Sequence, residues 1–191
     1  MSKTLNTIQT LVKIGRVIAK IVFVVTIIGA VGCLFGLGAL IGAQSLGVSV
    51  GSETLAGLIV NEAGMSMGSM YLACVSGMVM CIAEAVLAWL TIRYFNHELA
   101  DGTPFTFSGA KELFRLGIIN IAVLLGVAVL QTMIYGIFWI YFPEIEEIEA
   151  SASLGTGIAM MILSVVFKHG AEITALNNGT YDENVKEEIK F

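Results

Sequence analysis

An all-α, four-helix transmembrane bundle with both termini cytosolic is the fold the sequence predicts. Three observations predict it. Of the 191 residues, 57% are hydrophobic and 13% charged, where a soluble chain carries about 25% charged residues. The apolar residues come in runs long enough to cross about 30 Å of hydrocarbon, and not as alternating faces. All ten Lys and Arg residues fall in segments that a four-span reading puts on one side, which the positive-inside rule makes cytosolic. The sidedness of the charges therefore says more than the net charge of −5.

Residues 1–20 form a basic lead-in. Lys13, Arg16 and Lys20 share one helical stripe, and Leu11, Ile14 and Ile18 another. That pattern suits a helix lying on anionic lipid of the inner leaflet. The first span, 21–43, is longer than the apolar core of a cleaved signal peptide. Its glycines make two GxxxG spacings, Gly32/Gly36 and Gly38/Gly42, which let another helix approach closely. Packing within the chain is the first use of these glycines, and homodimerisation through span 1 the second. The loop 44–67 carries Glu53 and Glu62 but no Lys or Arg, and its stretch 55–60 could form an interfacial turn of helix.

The second span covers 68–92 and leads into a cytosolic elbow, 93–115. There Gly102-Thr103-Pro104 makes a turn, because Pro104 fixes φ and biases Thr103 to an extended conformation. Thr106 stands where a helix N-cap belongs. The third span, 116–142, stops at Pro143, before an acidic loop with Glu144, Glu146, Glu147 and Glu149. A shorter fourth span covers 152–167, and the tail, 168–191, is polar and of mixed charge. The whole is one integral membrane domain, residues 1–191, of a multi-pass protein.

Chemistry-bearing motifs are sparse. Gly47-Val48-Ser49-Val50-Gly51 matches the GxSxG of serine hydrolases, but both histidines, His97 and His169, fall across the membrane from Ser49. Met65, Met67 and Met70 could offer thioethers to Cu(I), yet Met is also a common gap-filler. Cys33, Cys74 and Cys81 all lie in apolar runs without paired-Cys spacing, and read as packing residues. The aqueous segments are too short for a catalytic domain, so no enzyme, cofactor, metal site or direct nucleic-acid binding is expected. Glu84 stands out as an acid within a span, roughly 13 Å from the Arg93 boundary at about 1.5 Å per residue. Such an acid is costly and a functional candidate by default. It reads either as a hydrogen-bonded tie within the bundle or as a proton or cation relay. Thr26, Asn120 and Ser164 lie at similar depths. Gln131, three turns beyond Asn120, marks the same face of span three as turned inward.

Tyr94-Phe95, Leu99, Gly102, Pro104-Phe105-Thr106, Leu113, Arg115 and Gly117 resemble the elbow of an uncharacterised bacterial membrane family, domain of unknown function 2975. Val166-Phe167-Lys168-His169-Gly170-Ala171-Glu172 is similar to that family's basic-glycine exit. Asn178-Gly179-Thr180-Tyr181-Asp182 departs from the family's Asp-Leu-Thr ending. The resemblance implies a four-span protein of the bacterial cytoplasmic membrane that holds or releases a small helix-turn-helix regulator. The expected function is thus a non-enzymatic regulator or adaptor that docks a cytosolic partner. Phe105, Phe107, Lys111, Arg115, Lys168 and His169 would form the docking surface, since aromatics beside basic residues are common interface anchors. The alternative is a small transporter or channel subunit centred on Glu84.

Overall fold

The structure, a computed structural model, describes residues 3–46, 49–50, 53–54, 57–58, 62–101, 106–145 and 155–177. Among these residues, four long helices carry the fold: α1 (Lys3–Ser45), α2 (Met67–Asp101), α3 (Phe107–Tyr141) and α4 (Gly155–Asn177). All four are long and apolar enough to cross a membrane. Large apolar side chains are exposed along them, such as Phe35 at 76% and Ile140 at 73%, an arrangement that suits lipid contact and not water. The chain is that of a multi-pass membrane protein. A two-residue antiparallel ladder, β1 (Ser49–Val50) with β2 (Glu53–Thr54), is the one strand pairing among the described residues.

The helices run further than the expected spans. The basic lead-in is not a separate surface helix, because α1 continues unbroken for 43 residues, about 65 Å at 1.5 Å per residue. No proline interrupts it. Both prolines of the chain, Pro104 and Pro143, fall just after a helix end. The elbow is correspondingly short. α2 reaches Asp101 and α3 starts at Phe107, so most of 93–115 is helix. α4 likewise continues ten residues past the expected end at Phe167, taking the root of the tail with it. Gly170 does not stop it, and its carbonyl accepts the Thr174 hydroxyl at 2.8 Å.

The helix starts and stops follow local chemistry. Thr106 caps α3: its Oγ1 accepts the Gly109 amide at 3.0 Å, which satisfies one of the orphan donors of the first turn. Ser66 caps α2 in the same way, accepting the Ser69 amide at 3.1 Å.

The chain divides into two compact units. The first comprises Met1–Phe23, Val86–Leu124 and Ser153–Phe191. Its core is Tyr94, Leu113 and Leu116, with Leu90, Phe95, Met160 and Phe167 packed against it. α3 and α4 meet here at glycines: a Cβ on Gly117 would stand 2.9 Å from the Gly157 carbonyl oxygen.

The second unit comprises Val24–Ala85 and Leu125–Ala152. Here each cysteine sulfur sits over a glycine of the facing helix. Cβ atoms built on Gly29, Gly36 and Gly77 would lie 2.9, 3.2 and 3.2 Å from Cys81, Cys74 and Cys33. The pairs 29/81, 33/77 and 36/74 advance along α1 as they retreat along α2, so the two helices lock antiparallel. Tyr71 donates to Gln44 at 3.0 Å near the end of this seam.

Candidate functional site at the elbow

The end of α2 and the start of α3 form an antiparallel helical hairpin inside the first unit. Tyr94, Leu113 and Leu116 anchor it, so the residues one turn further on meet across the hairpin. His97 Nδ1 lies 2.9 Å from Glu112 Oε2 at the surface. Glu98 lies on the same helical face as Tyr94, one turn later, and is only 5% exposed. Its carboxylate bears electrostatically on the Tyr94 hydroxyl and presses against Gly109, where a Cβ would run into Oε1. A side chain at position 109 would have to displace the Glu98 carboxylate. The same residue donates its amide to the Thr106 cap.

A cavity of about 240 Å³ opens beside this core, lined by Leu90, Arg93 and Tyr94 of α2 and by Glu112, Arg115, Leu116 and Ile119 of α3. Both arginines are exposed, and among the described residues neither forms an ion pair. Glu112, the acid on the rim, is engaged by His97.

Of the expected docking residues, Phe105 lies outside the described residues. Phe107 is half-buried in the first turn of α3, while Lys111 and Arg115 are exposed on that helix. Phe167 packs on the Tyr94 core, which brings the neighbouring Lys168 and His169 into the same unit as the elbow. His169 is exposed and lies 3.5 Å from Glu172. Lys168 is half-buried.

The intramembrane polar residues divide between the units. In the first, Asn120 Oδ1 and the fully buried Ser164 Oγ have no hydrogen-bond partner among the described residues. Asn120 stands against Gly157, 3.3 Å from where its Cβ would be. In the second unit, Thr26 is buried and Gln131 half-buried. Glu84 is exposed and forms no hydrogen bond or ion pair among the described residues. Among the described residues, then, Glu84 makes no tie into the bundle. Cys81, about one turn earlier on the same helix, faces Gly29, whereas Glu84 lies on open surface. Among the four expected packing glycines, Gly36 meets Cys74, whereas Gly32, Gly38 and Gly42 have open space where a Cβ would stand.

No family model, no curated protein and no solved structure matches the chain.

Glu98 and the Arg93/Arg115 cavity are absent from the sequence-based expectations. A signal for Glu98 exists: it shares a helical face with Tyr94 at i, i+4, so a buried aromatic there implies a buried acid. The sharing of one cavity by Arg93 and Arg115 has no such local signal, because it depends on the register of the hairpin.

Proposed function

We propose that the protein is a non-enzymatic regulator or adaptor of the bacterial cytoplasmic membrane, with both termini cytosolic, that docks a soluble partner at its elbow end. One observation carries the reading. Lys111, Arg115 and His169 are exposed around a single aromatic core to which α2, α3 and α4 all contribute. Exposed basic side chains on a rigid, packed base suit an acidic partner surface, because little side-chain or backbone order is lost on binding. The resemblance of the elbow and the α4 exit to domain of unknown function 2975 supports a small helix-turn-helix regulator as that partner class. Anionic inner-leaflet lipid is the competing contact for the same side chains. The test is affinity capture of the detergent-solubilised, full-length protein from its own membranes. Phe107→Ala and Lys111→Glu are expected to release a co-purifying soluble protein while leaving membrane insertion intact. Retention of that protein by the double variant, or by one also carrying Phe105→Ala, would overturn the docking reading.

A second reading rests on the exposed carboxylate of Glu84 within an apolar helix. An acid there is costly in lipid, and a transporter or channel subunit that uses it as a proton or cation relay would account for its retention. Proton-coupled flux in liposomes that Glu84→Gln abolishes would favour this reading.

A further inference from the structure

The cavity beside the elbow is polar at one end and apolar at the other. Along α2, Leu90 precedes Arg93 and Tyr94 by about one turn; along α3, Ile119 follows Arg115 by about one turn. The helices run antiparallel, so both arginines lie nearer the elbow end, with Leu116 next to Arg115, and Leu90 and Ile119 lie toward the apolar span. An amphiphile aligned with the helices would meet the guanidinium groups with its head and the aliphatic side chains with its first carbons. The volume of about 240 Å³ is below the roughly 300–1,000 Å³ that enclose a drug-sized solute. It suits a headgroup whose chains continue outside the protein.

The charge is suitable as well. Arg93 and Arg115 have no ion pair among the described residues, and the carboxylate of Glu112 is turned to His97. Two guanidinium groups can each offer a planar pair of donors to phosphate oxygens. Basic pockets between membrane helices are a recurrent way to hold anionic headgroups.

We propose that this cavity is a binding site for the phosphodiester headgroup of an anionic glycerophospholipid in the leaflet on the elbow side. The site rests on the membrane reading of the four helices and not on the docking of a soluble partner.

The experiment is native mass spectrometry of the full-length protein in detergent, with phosphatidylglycerol and phosphatidylcholine of matched chains as competing probes. Wild-type protein is expected to prefer phosphatidylglycerol by about tenfold or more. Arg93→Gln with Arg115→Gln should abolish the preference. Lys13→Gln with Lys20→Gln, which removes the same charge from exposed positions on α1, should keep it. Arg93→Lys with Arg115→Lys retains the charge that supports insertion but loses the planar fork, and should weaken the preference. This variant keeps the proposal testable if the glutamine pair fails to insert. Glycerol 3-phosphate at millimolar concentration should not displace the lipid; displacement would assign the site to a soluble phosphate ester and overturn the lipid. Equal binding of the two lipids, or equal loss of preference in the lysine control, would also overturn the site. The membrane reading has its own readout: carbonate-resistant membrane association with no lipid preference would reject the cavity alone.

Discussion

A buried carboxylate such as Glu98, 5% exposed, is costly unless the groups around it compensate its desolvation. The compensation at the elbow is geometric as much as electrostatic. Gly109 has no Cβ, so the Glu98 carboxylate can reach the start of α3, beside the Thr106 cap and the Tyr94 hydroxyl. Gly109→Ala should therefore destabilise the protein by about 1–3 kcal/mol, the usual cost of overpacking. Gly126 is the control: a Cβ there meets nothing within 4 Å. Gly126→Ala should be neutral or stabilising by up to about 1 kcal/mol, since Ala is the better helix former. Thermal unfolding of both variants in the same detergent decides the matter. Equal melting temperatures would show that Glu98 does not occupy the space beside Gly109.

At the scale of elements, the α1/α2 seam is held by steric fit. Each Cys fills the gap left by a facing Gly, in pairs 29/81, 33/77 and 36/74. In lipid the apolar environment outside the helices offers no hydrophobic drive for association, so close packing of small residues carries the contact. The seam predicts non-additive substitutions. Gly77→Ala puts a methyl 3.2 Å from the Cys33 sulfur, and Cys33→Ala leaves a small void. Each change alone should cost on the order of 1 kcal/mol. The double variant restores the summed volume and should recover most of the loss, giving a favourable coupling of roughly 0.5 kcal/mol or more. Strict additivity in a thermal-stability cycle would mean that the two residues do not touch.

For the whole molecule, the decisive question is which way the chain crosses. Ser45 at the end of α1 and Ser108 in the first turn of α3 are both exposed, and the charge asymmetry puts them on opposite sides. With wild-type protein as the control for labelling of Cys33, Cys74 and Cys81, a cysteine at Ser45 should react with an impermeant thiol reagent in intact cells. A cysteine at Ser108 should react only after lysis. Ser52 and Ser151 should behave like Ser45, and Thr180 like Ser108, although these three lie outside the described residues. The reverse pattern would invert the proposed topology and move the elbow to the outer face.

The sequence by itself determined the number of apolar helices, their approximate limits and the Thr106 cap, because run length and capping are local properties. It did not determine the extra turns of α1, α2 and α4, since a charged or polar residue at a span end marks the membrane boundary without stopping the helix. Only the tertiary structure decided which faces are inside. It turned Glu84 out and Glu98 in, paired each cysteine with a glycine, and put Arg93 and Arg115 on the lining of one cavity. The reason is physical. In water, apolar periodicity names the buried face of a helix. In a helix surrounded by lipid, the exposed face is as apolar as the packed one, so the pattern carries no such sign. The buried face is then chosen by the fit of small side chains and by helix register, neither of which is legible in a single run of residues.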